Sequence, residues 1–248
     1  CVETILIYER ITLEFKIEEP PINIGADISL RSFEMIEEEL KDYPKADEFS
    51  FEQKEVISRL IHTTTCFNEV LENIYFSQNA IEKIQTLLQN KAKIIVDVNM
   101  IKVGLSDFYL KKYEIEVVCY INEAFTYEMA EKNKTTRSYA AVVEAIKKHK
   151  DEPMILACGN APTFIYAAIN TLLEQKVDLS KVALLLFPVG FVNVVESKQY
   201  GRKFCDTFDV PGIIMEGRFG SSTMVVATLH AIFKLIQDFD GSNKYNGK

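Results

Sequence analysis

Met154-Ile155-Leu156-Ala157-Cys158-Gly159-Asn160-Ala161-Pro162-Thr163 decides the fold. Its first half is an unbroken apolar run. Such a run reads as a strand buried on both faces, the habit of strands inside a parallel sheet. Its second half reads as a helix start. Asn160 or Ala161 sits at the cap, and Pro162 falls in the first turn, where its missing N–H removes no bond. A buried strand passing within a few residues into a helix is the repeating unit of an α/β sheet.

Outward from this junction the unit recurs. Lys93–Val98, Ile115–Ile121, Val182–Phe187 and Gly212–Met215 are further compact runs rich in Ile, Val and Leu. Helical patterns lie near 77–90, 123–131, 137–149, 162–175, 193–204 and 221–238. Upstream, Ser29 to Leu40 carries Phe33, Ile36 and Leu40 as an apolar stripe. Ser50-Phe51-Glu52-Gln53 is a capping box, and it opens a helix with Val56, Ile57, Leu60 and Ile61 on one face. The expectation is one domain over residues 1–248, a three-layer α/β/α fold with a mostly parallel sheet. Cys1–Tyr8 and Arg10–Ile17 precede Pro20-Pro21 and read as an N-terminal β hairpin or arm over residues 1–24. Residues 240–248 read as a flexible tail.

Composition bounds the partners. The chain has 248 residues, with 28 Lys and Arg against 36 Asp and Glu, a formal net charge of -8. That disfavours a broad basic surface and hence nucleic acid. It does not disfavour a small polyanion held by a few local cations. No run approaches 18 apolar residues, so no membrane span is expected. Cys1, Cys66, Cys119, Cys158 and Cys205 are scattered and form no CxxC, which reads as reduced thiols and a cytoplasmic location.

Ligands of open α/β sheets sit beyond the carboxyl ends of the strands, so the segments following the strands carry the chemistry. Gly159-Asn160-Ala161-Pro162 is either a well-made helix start or a set of donors for a ligand carboxylate. Gly217-Arg218-Phe219-Gly220-Ser221-Ser222-Thr223 is neither a GxGxxG nor a Walker sequence, but its Arg and hydroxyls suit an anion. Arg137, after Thr135-Thr136, stands against the dipole of the helix it opens, which marks it as a residue with a task. By pattern alone, His62 at a helix C-terminus is a dipole or capping group. His149, within Lys147-Lys148-His149-Lys150, reads as a solvated helix end, and His230 as packed among Ala227, Leu229, Ala231 and Ile232. Three isolated histidines and no CxxC argue against a metal site.

Several segments in order carry a resemblance. They are Arg31-Ser32-Phe33-Glu34, Arg59-Leu60-Ile61-His62-Thr63-Thr64, Ile95-Val96-Asp97-Val98-Asn99-Met100 with Lys102-Val103-Gly104, and Thr136-Arg137-Ser138. Gly159-Asn160-Ala161-Pro162-Thr163, Pro188-Val189-Gly190-Phe191-Val192 with Glu196-Ser197-Lys198, and Gly217-Arg218 complete the set. Together, from about residue 27 to about residue 235, they resemble the precorrin-8X methylmutases and cobalt-precorrin-8 methylmutases. The resemblance implies an isomerase of cobalamin biosynthesis. It would move a methyl group from ring position eleven to twelve of a corrin-type macrocycle, with no added cofactor, giving hydrogenobyrinate or cobyrinate. It also implies a homodimer with the substrate near the subunit interface.

His62 matches the family's proton donor, and Ser32, Arg137 and Lys198 match positions that bind the carboxylate arms of the macrocycle. Asn160, Thr163, Gly190, Arg218 and Ser221 match by loop position, and Thr63 and Thr64 share the histidine motif. The expected pocket gathers Arg31, Arg59, Arg137, Lys198 and Arg218. Many relatives carry Gly or Ala where this chain has Thr65, and Ser221 replaces part of a glycine pair. Two alternatives stand beside the enzyme: a non-catalytic tetrapyrrole-binding carrier, and a nucleotide-using α/β enzyme, against which the missing glycine fingerprint argues.

Overall fold

The computed structural model describes residues 20–22 and 24–239. The expected N-terminal β arm therefore falls almost wholly outside the described residues, and the expected tail falls outside them entirely. Helices α1 (Gly25–Leu40), α2 (Phe51–Thr64) and α3 (Phe67–Asn73) come first. Strand β1 (Ile74–Phe76), helix α4 (Ala80–Gln89) and strand β2 (Lys93–Val96) follow. Then come α5 (Asn99–Gly104), α6 (Asp107–Lys112), β3 (Val117–Val118), α7 (Ala124–Lys132) and α8 (Arg137–His149). The chain continues through β4 (Met154–Cys158), α9 (Pro162–Glu174), β5 (Val182–Leu186), α10 (Val194–Phe208), β6 (Gly212–Met215) and α11 (Ser222–Phe239).

The strands form one sheet in the order β1-β6-β5-β4-β2-β3. Strands β2 to β6 pair in parallel, and only β1 runs antiparallel, with Ile74 opposite Met215. Successive strand residues face opposite layers, as the two-residue period of a strand requires. Ile155, Ala157, Leu185 and Ile213 pack with α2, α4 and α11 in one core. Met154, Leu156, Cys158, Leu184 and Ile214 pack with α8, α9 and α10 in the other. The three-layer expectation holds.

Differences fall at the sheet edges. The apolar run Ile115–Ile121 yields only Val117–Val118 as strand, because this edge has β2 as its one neighbour and the chain turns at Tyr120, where the Glu123 N–H bonds the Tyr120 carbonyl. Strand β1 went unanticipated: three residues directly after a helical run carry no readable period. His149 corrects another expectation. It is buried, with Nδ1 2.7 Å from the Glu152 carboxylate and Nε2 3.3 Å from the Tyr120 hydroxyl.

Helix α2 sets where the histidine motif lies. Its Ser50 capping box forms as expected. Glu55 pairs with Lys234 at 3.0 Å, and the charge of Arg59 reaches His230, so α2 runs antiparallel to α11. The C-terminal end of α2 therefore points toward the start of α11, at the carboxyl edge of the sheet. Thr65 ends α2 in the left-handed conformation, at φ 58°, with its N–H bonded to the Ile61 carbonyl at 2.6 Å. A β-branched residue is strained there and glycine is not. Thr65→Gly is expected to raise unfolding free energy by about 0.5–1 kcal/mol, read as a higher urea midpoint.

Candidate active site

The sheet branches between β2 and β4. From β2 the chain moves outward to β3, and from β4 it moves the other way through β5 to β6. Such a branch opens a crevice at the carboxyl ends of the strands. Here Asp97 stands directly after β2, 1% exposed. Its carboxylate accepts from the N–H groups of Gly159 (3.0 Å), Asn160 (2.8 Å) and Ala161 (2.7 Å). Burial pushes its carboxyl above the ordinary value, and the three N–H bonds pull the other way. Of the two readings of this loop, the donors are taken by the protein's own carboxylate. Ala161 is the cap residue and makes no side-chain cap bond.

The remaining loops close on this corner. A Cβ on Gly159 would lie 2.5 Å from the Ser222 Cα, and one on Gly220 would meet the Phe187 carbonyl, so glycine is required at both. Lys198 is 1% exposed. Its ammonium donates to the carbonyls of Gly217 at 3.0 Å and Phe219 at 2.8 Å, and burial lowers its pKa to about 8. It ties α10 to the segment that presents Arg218. The Gly190 N–H donates to the Arg218 carbonyl at 3.4 Å, tying the β5 loop to the same segment. The Ser221 hydroxyl caps α11 by accepting from the Met224 N–H at 3.2 Å.

His62 lies at the α2 end and is exposed. Its Nδ1 is 2.8 Å from the Ser32 hydroxyl, and its ring stacks on Phe33 with centroids 4.8 Å apart. The guanidinium of Arg59 sits 5.1 Å from the centre of the same Phe33 ring. Thr63 and Thr64 donate their hydroxyls to the Arg59 and Leu60 carbonyls, and Thr64 also accepts from the Cys66 N–H. His230 is a neighbour of a different kind. Its Nε2 accepts from the Ser106 N–H at 3.0 Å, and burial first, then the Arg59 charge, holds it below the ordinary imidazole value.

Three site arginines share one arrangement. Arg59, Arg137 and Arg218 lie over the rings of Phe33, Tyr127 and Phe191, 4.9 to 5.2 Å from the ring centres. None forms an ion pair with an acid among the described residues. Arg137 also donates to the Tyr127 hydroxyl at 2.7 Å. Next to it, the hydroxyls of Thr136 and Thr163 bond at 2.7 Å, joining the starts of α8 and α9. Arg31 differs, because Glu34 holds it at 3.1 Å.

The named residues thus lie along the carboxyl edge, with His62 bonded to Ser32 and with His62 and Arg59 both resting on Phe33. Asp97, Phe33, Tyr127 and Phe191 were not singled out from the sequence. An acid closing an apolar run was the readable sign for Asp97. Grooves of about 620 and 560 Å³ lie elsewhere, the first around Ser50 and Gln85, the second around Pro153 and Lys181.

The site thus presents a solvent-facing imidazole and guanidiniums that pair with no acid among the described residues. Comparison with known proteins makes this specific. A family model described as precorrin-8X methylmutase matches residues 27–235. The cobalt-precorrin-8 methylmutase of Priestia megaterium is 33% identical, over 94% of this chain and 99% of that protein. That of Methanocaldococcus jannaschii is 31% identical, over 84% and 92%. A solved precorrin-8X methylmutase from Thermus thermophilus superposes with a TM-score of 0.72 at 33% identity, covering 86% of this chain and 98% of that one. The chain belongs to the precorrin-8X methylmutase family, isomerases of cobalamin biosynthesis.

The Lys198 site makes a pH prediction. The unfolded lysine keeps its proton to about 10.5, and the folded one releases it near 8. Between those values the unfolded state binds more protons, so stability rises with pH. Below pH 8 the cost of burying the charge is present in full. The stability of the wild type relative to Lys198→Met is expected to increase by about 2–3 kcal/mol between pH 7.5 and 10. Urea unfolding of both proteins at the two pH values measures it, and a flat difference would contradict it.

Proposed function

We propose that the protein isomerises precorrin-8X or cobalt-precorrin-8 by intramolecular methyl transfer from ring position eleven to twelve, with His62 as the proton donor. The product is hydrogenobyrinate or cobyrinate. The observation that carries this reading is His62 itself: an exposed imidazole held on two sides by Ser32 and Phe33, beside Arg59, which pairs with no acid among the described residues. A proton placed on the conjugated ring makes the receiving carbon electron-poor. The methyl group migrates with its bonding pair, and the proton then returns to the imidazole, so substrate and product are isomers. Imidazole is suited to this exchange near neutrality.

The carboxylate arms of the macrocycle meet Arg59, Arg137 and Arg218. A guanidinium can grip a carboxylate with two parallel hydrogen bonds while its face rests on an aromatic ring. Asn160, Thr163, Gly190 and Ser221 line the same edge, and Lys198 acts by holding the Arg218 segment. No added cofactor enters this scheme. Phe191, Val192 and Val103 are 77–80% exposed beside the site, which supports a homodimer that covers them near the substrate. The enzyme works as a single methylmutase-like domain in the cytoplasm.

His62→Ala is expected to slow methyl transfer by about 10²–10⁴-fold. The absorption change on mixing with precorrin-8X, or in parallel with its cobalt form, should still report binding. A wild type that binds either macrocycle and yields no isomer would instead be a carrier. Arg137→Ala is expected to raise KM about 10–100-fold with a smaller effect on kcat, and Arg137→Lys should restore little of it. Steady-state rates across substrate concentration separate the two constants.

A further inference from the structure

The Ser32 hydroxyl lies 2.8 Å from His62 Nδ1, and Ser32 and Phe33 are successive residues of α1. One residue fixes an edge of the imidazole and the next supports its face, at 4.8 Å and an interplanar angle of 16°. We propose that Ser32 is a positioning residue that pins His62 Nδ1, so that Nε2 alone exchanges the proton with the substrate. This goes beyond the role of carboxylate grip that resemblance gives to Ser32, and it rests on the acid role of His62 proposed above.

A hydroxyl suits the task because its oxygen accepts without carrying a charge. When Nε2 exchanges the proton, Nδ1 keeps its hydrogen in the imidazolium and in the neutral ring alike, and the Ser32 oxygen accepts from it in both. The same contact therefore survives both halves of the proton cycle, with no rotation of the ring between them. An acidic residue in that place would favour the cation over the neutral ring, and a lysine would favour the neutral ring over the cation. Of the nearby arginines, Arg59 shares the Phe33 ring and Arg31 is occupied by Glu34. Neither takes the place of the hydroxyl at Nδ1.

Ser32→Ala tests this, with Ser32→Thr as the conservative variant. Ser32 lies on a half-exposed face of α1, where alanine favours the helix, so the protein should fold and keep its melting temperature. A positioning role predicts that kcat falls about 10–100-fold with KM nearly unchanged, and that Ser32→Thr recovers most of the rate. A rise in KM with kcat intact would overturn it and leave Ser32 as a carboxylate grip. A second measurement needs no turnover. The chain has three histidines, so histidine labelled with nitrogen-15 gives a spectrum in which His62→Ala identifies the His62 signals.

In Ser32→Ala the His62 Nδ1 signal should move, while those of His149 and His230 stay. An unmoved Nδ1 signal beside an inactive His62→Ala would overturn the positioning role and spare the acid role. Full activity of His62→Ala would overturn the acid role, and the rate consequence of Ser32 with it.

Discussion

A carboxylate buried at the branch of the sheet governs what the edge above it can do. Asp97 closes β2 in a place almost without solvent. Left unpaired there, it would cost several kcal/mol. Three successive N–H groups of the β4–α9 loop meet it, with the Cys158 thiol 3.5 Å away. The pairing ties the ends of β2 and β4 together and sets the direction in which α9 leaves the sheet. Through the Thr163–Thr136 bond it also sets where α8 begins. The donors it uses are those that many α/β proteins offer to a ligand anion. With the backbone committed inward, an acidic ligand has to be met by side chains.

That requirement explains the arginines. The chain carries an excess of acids, and several of its lysines are paired with one, as Lys83 is with Asp209 and Lys91 with Glu114. Arg59, Arg137 and Arg218 instead rest on aromatic faces. An aromatic ring steadies a guanidinium without neutralising it or using its in-plane donors. Each therefore presents charge at a defined place, and the net charge of -8 is compatible with a local cationic rim. Lys198 shows the contrast. Its compact ammonium is buried and spent on two carbonyls, shaping the loop that carries Arg218.

Much of this was legible in the sequence where one physical rule dominated. Long apolar runs in the middle of the sheet, Met154–Cys158 above all, admit no alternative to a doubly covered strand, and β4 has those bounds. The Ser50 box was readable because capping is local. The misses are places where tertiary contact decides. Strand β1 exists because β6 offers it an edge, and His149 is buried because Glu152 and Tyr120 close over a helix end that looks solvated in sequence. Side-chain roles were less visible still. Phe33 reads as one apolar residue of a stripe, and only the fold reveals His62 on one side of its task and Arg59 on another. The resemblance pointed to His62, but no periodicity distinguishes an acid from a cap.

The site divides its work between two supports. Arg137 and Arg218 stand on segments locked by Asp97, Lys198 and the crowded glycines, where a shift of one loop disturbs its neighbours. His62 stands apart from that lock, at the end of α2, and takes its bearings from α1. A rigid rim favours a fixed placement of a large substrate by its arms. A separately held imidazole can be oriented without reshaping the rim. Arg59 joins the two supports, because it stands on α2 and shares the Phe33 ring with His62.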